Sequence, residues 1–174
     1  MNNIVLNVDI ADERWNKTLD NVHEIMDNTK ETVFMMMPSI IDLDILDTEK
    51  ILSVNIRLSN DEEVHRLNKD FRGMDKPTNV LSFANIDFVD FEVDNSPFTD
   101  IELGDIIVAY ETMVRETEEL NISFEAHFYH LLVHGLLHLL GFDHVEDEDA
   151  EFMESTEVLI LNKLGVDNPY LEEN

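Results

Sequence analysis

Apolar positions along this 174-residue chain change their period several times, and each change marks an element. From Asn3 to Ile10 every second residue (Ile4, Leu6, Val8, Ile10) is apolar, the alternation of a half-buried strand. A helical pattern follows from about Asp12 to Met36, with a break expected near Asn28 and Pro38 as its closing residue. Alternation returns from Ile51 to Leu58. The run Ser59-Asn60-Asp61-Glu62 then reads as a capping box opening a helix to about Phe71. Gly73 to Lys76 turns the chain, Pro77 fixes its exit, and Thr78 to Ile86 reads as a third strand. The acidic segment Asp87 to Asp100 has little periodicity and reads as a loop beside the site. Glu102 to Ala109 is a fourth strand, leading into a helix to about Leu120. Ser123 is placed to cap a helix running to Leu140, and a last helix spans about Glu148 to Leu164. This order predicts an α+β fold in one domain over residues 1–174: a small mixed four-stranded sheet packed with about five or six helices.

The helix ending at Leu140 carries the chemistry. His134 and His138 are four residues apart, so both imidazoles leave one helix face, one turn apart. Gly141 stands where a left-handed residue ends a helix, and three residues later His144 can return as a third ligand. Three neutral imidazoles leave one tetrahedral position open, the arrangement of catalytic zinc, which lowers the pKa of bound water to roughly 7. The same spacing with Glu after the first His defines a class of metallopeptidases, in which that Glu is the general base. Here the residue is Gly135, which can neither accept nor donate a proton, so the pattern points to hydrolysis of another bond. His127 and His130 extend the stripe. They read either as donors or substrate contacts around the site or as partly buried residues satisfied by neighbours. Asp143, Glu146 and Asp147 are candidates to orient a ligand imidazole, or simply acids at the start of the last helix.

Composition narrows the partners. With no cysteine, a metal must be held by His and carboxylates. The longest apolar stretch, Phe128 to Phe142, is too short to span a membrane and contains three histidines, and nothing at the N-terminus suggests secretion, so a cytoplasmic location is expected. A formal charge of −28 argues against a general nucleic-acid binder. Yet Arg57, Arg66, Lys69, Arg72 and Lys76, five of the eleven Lys and Arg, fall within twenty residues. Such a strip can hold a polyanion locally. Arg72 is the candidate to stabilise charge on a substrate phosphate, because a guanidinium matches phosphate oxygens in a bidentate fork. A contact between an exposed Arg and a helix C-terminus is the competing reading.

The runs Asn68-Lys69-Asp70-Phe71-Arg72-Gly73-Met74-Asp75-Lys76-Pro77-Thr78-Asn79-Val80-Leu81-Ser82-Phe83, Leu103-Gly104-Asp105-Ile106, Glu125-Ala126-His127 and His134 through His144 occur in the order found in the YbeY family of bacterial endoribonucleases, which this chain resembles from about residue 50 to 165. The resemblance implies a zincin-like fold with one Zn2+ on His134, His138 and His144, and places the family's functional arginine on Arg72. It also implies single-strand RNA cleavage in ribosomal RNA processing, notably 16S rRNA 3′-end maturation, and in ribosome quality control. Arg66, Lys69 and Lys76 would then track the RNA backbone, and the small ribosomal subunit and its proteins become expected partners. Ala84 stands where the family often has Pro, which affects only the local loop. Two other classes remain open: a non-catalytic ribosome assembly factor with a structural zinc, and a metallopeptidase.

Overall fold

The computed structural model describes residues 3–87, 91 and 99–171. Its four strands form one mixed sheet in the order β1-β2-β4-β3, with β1 (Ile4–Ile10), β2 (Ile51–Ser59), β3 (Val80–Ala84) and β4 (Asp100–Ala109). β1 and β4 run parallel to β2, and β3 pairs antiparallel on the far edge. Position in the sheet explains the patterns. The edge strand β1 alternates half-buried and exposed residues, whereas central β2 and β4 are mostly buried, as strands with both faces covered must be.

Six α-helices surround the sheet among the described residues: α1 (Arg14–Thr18), α2 (Val22–Ile40), α3 (Asp61–Arg72), α4 (Tyr110–Leu120), α5 (Phe124–Leu139) and α6 (Asp147–Lys163). The main core lies on one face, where Leu52, Val54, Ile56, Ile106 and Val108 meet apolar residues of α2 and α5. The residues that alternate with these on β4, Ile107 and Ala109, pack on the other face against Val64 and Leu67 of α3. Trp15, fully buried, anchors α1: its indole N–H donates to the Ser59 carbonyl at 2.9 Å, and its ring meets Phe128 at 5.3 Å. No helix is long and apolar enough to cross a membrane among the described residues.

Four boundaries differ from those expected. The first helical region breaks at residues 19–21 rather than near Asn28, because Trp15 and Leu19 turn inward to the core there. Pro38 lies inside α2 instead of closing it. Its missing N–H falls in the last turns of a 19-residue helix, where only one bond is forfeited and the chain continues to Ile40. The cap of α3 is shifted by one residue: Asn60 Oδ1, not the Ser59 hydroxyl, accepts from the Glu63 amide at 3.0 Å. The third strand is shorter than expected, since Asn85–Asp87 coil into a 3-10 turn. Most of the acidic segment read as a loop, residues 88–90 and 92–98, lies outside the described residues.

Candidate metal centre

Helix α5 is set against the sheet by glycine. A Cβ at Gly135 would stand 3.0 Å from Ile106 Cδ1, so the position that bears the peptidase glutamate is here a close approach of helix to strand. Gly104, with φ +145°, marks a second approach: a Cβ there would lie 2.1 Å from the Phe83 carbonyl oxygen and 2.8 Å from Leu139 of α5. It follows a register shift in the β2–β4 pairing between Ser53 and Val54. Together these contacts press α5 over β4 and edge strand β3. The apolar residues of α5 are buried nearly all round, and His130, His134 and His138 form a half-buried stripe.

Ser123 caps this helix by accepting the Ala126 amide at 3.0 Å. The helix ends in a left-handed Gly141 (φ +99°), with Gly141 N–H donating to the His138 carbonyl and Phe142 N–H to the Leu137 carbonyl, both at 3.0 Å. These are the paired bonds of a Schellman motif. Phe142 then stacks on Phe152 of α6 at 5.3 Å, which fixes the return of the chain toward His144. The ligand atoms of His134, His138 and His144 come within 4.8 Å of one another, a group that can hold a metal ion.

The hydrogen bonds test that fit. His138 Nδ1 lies 3.0 Å from the Phe142 carbonyl, which can only accept, so Nδ1 carries the proton. His134 Nδ1 lies 2.6 Å from Glu157 Oε1. Burial alone would raise the Glu157 carboxyl, but hydrogen bonds from His130, His134 and Tyr170 bring it down to about 2, so it too accepts. A neutral imidazole with its proton on Nδ1 leaves Nε2 free to ligate, and the two Nε2 atoms face each other at 3.1 Å. Two lone pairs cannot bond to each other. A shared cation satisfies both, and about 3.3 Å is the edge of a tetrahedron with metal–nitrogen distances near 2.05 Å. Burial, then the neighbouring His134 and His144, lowers His138 to about 4, which keeps it neutral at pH 7. His144 is exposed, so the site is open on its side.

Glu157 was not among the sequence candidates. It projects from α6, wholly buried, among Met153, Thr156, Ile160 and Leu161. Asp143 instead accepts from the Val145 amide at 2.9 Å, while Glu146 and Asp147 begin α6, the ordinary reading of those acids. His127 is buried and His130 half-buried, and each has a partner. His127 Nε2 bonds Glu116 Oε1 at 2.9 Å, the oxygen that also accepts from Asn79, although His127 Nδ1 is buried without one. His130 Nε2 lies 3.0 Å from Glu157 Oε2.

The basic strip divides. Arg57 is held by Glu63 and Asp9, and Arg66 lies 3.7 Å from Glu63. Lys69 is near Asp75, whose carboxyl is lowered first by its bond to His65. Lys76 lends its carbonyl to Asn68 Nδ2 at 2.8 Å, which holds the turn against α3. Arg72, exposed at the end of α3, donates to the Ser82 carbonyl of β3 at 2.6 Å and lies over the Phe83 ring at 5.2 Å. Among the described residues no carboxylate pairs with it. Phe83 and the exposed Phe71 line a groove of about 890 Å³ across the sheet, with Asn55 and Asp105 in its lining.

A buried helix offering two facing imidazole nitrogens, a third on a returning loop, and glycine at the peptidase base position form a three-histidine group that can hold a metal ion on an α+β scaffold. Comparison with known proteins narrows that class. The sequence model of the family described as endoribonuclease YbeY matches residues 8–165. Similar proteins include endoribonuclease YbeY of Sphingopyxis alaskensis, 48% identical over 130 residues that cover 74% of this chain and 77% of the relative. That of Colwellia psychrerythraea is 49% identical, covering 69% of this chain and 73% of its own. The solution structure of TM1509 from Thermotoga maritima aligns over 92% of both chains with a TM-score of 0.51 and 23% identity, a likeness of fold. This chain belongs to the endoribonuclease YbeY family.

Proposed function

We propose that the protein is a zinc-dependent, single-strand-specific endoribonuclease of ribosomal RNA processing, acting on the 3′ end of 16S rRNA and in ribosome quality control. The observation that carries the metal part of this reading is the pair of facing Nε2 atoms of His134 and His138, 3.1 Å apart with His144 beside them. Family membership supports the RNA part. When bound, zinc supplies Lewis-acid polarisation of a phosphodiester oxygen and a lowered water pKa.

The chain's own residues have distinct parts. Glu157 and the Phe142 carbonyl orient His134 and His138, and the exposed side of His144 gives a strand its way in. Arg72 neutralises charge developing on the scissile phosphate. Its bond to Ser82 and its place over Phe83 support this role, since they fix the guanidinium without consuming its charge. Lys69, Arg66 and Lys76 follow the backbone, and Phe71 and Phe83 offer rings on which bases can stack in a sequence-tolerant way. Gly135 leaves no base for peptide hydrolysis. The acidic remainder of the surface suits basic proteins of the small ribosomal subunit, and the reading takes residues 1–174 as one cytoplasmic hydrolase domain.

The test is cleavage of a single-stranded RNA and its duplex form, before and after chelation. Loss of single-strand cleavage with chelator and its return with zinc is expected. Cleavage indifferent to chelator would overturn the metal reading, and equal cleavage of the duplex would overturn the strand preference.

A further inference from the structure

The chain beyond α6 reaches back to the histidine stripe. After Gly165 it runs to Tyr170, whose ring stands edge-on to His130 at 5.4 Å. The Tyr170 hydroxyl donates to Glu157 Oε2, the oxygen that also receives His130 Nε2 at 3.0 Å. His130 Nε2 and the Tyr170 oxygen are themselves 3.1 Å apart, so the three groups close a triangle. Glu157 Oε1, the other oxygen, takes His134 Nδ1 at 2.6 Å.

A carboxylate torsion has a broad, shallow potential, so one hydrogen bond does not define its plane. Glu157 is 0% exposed and has no bulk water to settle its second oxygen. With Oε2 held by two donors from two different elements, the carboxylate plane is fixed, and the direction from which Oε1 meets His134 is fixed with it. We propose that Tyr170 and His130, acting through Glu157, are positioning residues for the three-histidine site: they aim His134 Nε2 and thereby set metal affinity. Neither residue is a ligand. The inference rests on the reading of His134, His138 and His144 as metal ligands, and extends it to a segment that follows the last helix.

Removing a group that orients a metal ligand typically lowers metal affinity by about 10- to 100-fold. Glu157→Gln, which keeps the shape and loses the charge, falls in that range. Tyr170→Phe removes one hydroxyl at one bond's further remove and should lower affinity by about tenfold, the lower end of the same range. His130→Ala should act similarly. His130→Gln restores an amide donor and should recover part of the loss.

The experiment is zinc titration of the full-length, metal-stripped protein in competition with a chromophoric chelator, paired with thermal melts of the metal-free forms. The expected result is weaker zinc binding in Tyr170→Phe and His130→Ala, partial recovery in His130→Gln, and folded metal-free protein in each. A Tyr170 that merely pins the chain end would lower the metal-free melting temperature and leave the zinc Kd within twofold of wild type, which overturns the inference. Tyr170→Phe deletes only a hydroxyl on a residue 40% exposed, so this variant keeps the test decisive if Glu157→Gln fails to fold. A wild type that takes up no zinc would overturn the metal reading and this inference together. Uptake by wild type with equal uptake by Tyr170→Phe overturns the inference alone.

Discussion

Gly135→Ala tests why the helix bearing His134 and His138 has glycine at the peptidase base position. Two effects oppose each other. Alanine in a helix interior gains about 1 kcal/mol over glycine. Against this, the new methyl would stand 3.0 Å from Ile106 Cδ1 and 3.2 Å from both of its Cγ atoms. Ile106 is 0% exposed in a central strand and cannot swing away. Overpacking of this kind costs about 1–3 kcal/mol, so the variant should be destabilised by up to about 2 kcal/mol. Ile106→Val removes Cδ1, the nearest atom, and alone should cost about 0.5–1.5 kcal/mol. In the double variant the loss should be smaller than the sum by about 1 kcal/mol, as expected for residues in contact. Urea denaturation of the four proteins at constant m value measures this cycle. A Gly135→Ala protein more stable than wild type, with additive double-variant behaviour, would refute the packing argument and with it the reason given for glycine at that position.

Arg72→Ala should keep zinc content and melting temperature while RNA cleavage falls by roughly 10- to 1,000-fold, as when a donor to developing charge is removed; an unchanged rate would take Arg72 out of the chemistry. Asn60→Ala should cost about 1 kcal/mol in urea through loss of the α3 cap, and an unchanged midpoint would show that Ser59 substitutes for it. Glu157 is held at about 2, below its ordinary 4.5. The unfolded chain therefore takes up a proton near 4.5 that the folded chain refuses until about 2, and the stability Glu157 contributes is lost as pH falls through that window. Comparison of urea midpoints at pH 5 and pH 3 should show wild type losing more stability than Glu157→Gln, and equal losses would contradict the sign.

Local patterns exposed most of the elements and the three histidines that the fold brings together, because those signals lie within single elements. His134, His138 and the turn at Gly141 sit on one helix and its exit, so their spacing carries their geometry. The strand order β1-β2-β4-β3 is long-range pairing and leaves no local mark. Glu157 stands 23 residues from His134 on another helix, and its trace in the sequence is a charge among the uncharged positions Met153, Thr156, Ile160 and Leu161. Pro38 misled for a physical reason: proline stops helices by removing one hydrogen bond, and α2 tolerates that loss near its end. Arg57 looked like part of a free basic strip until the fold brought Asp9 and Glu63 to it.

The most direct test of the central claim is metal content of protein purified without added metal, measured by mass spectrometry alongside cleavage of a single-stranded RNA by wild type, His138→Ala and Arg72→Ala. The account predicts one equivalent of zinc in wild type and Arg72→Ala, its loss in His138→Ala, and cleavage lost or strongly reduced in both variants. Stoichiometric zinc with no cleavage by wild type would contradict it and favour a structural metal in an assembly factor.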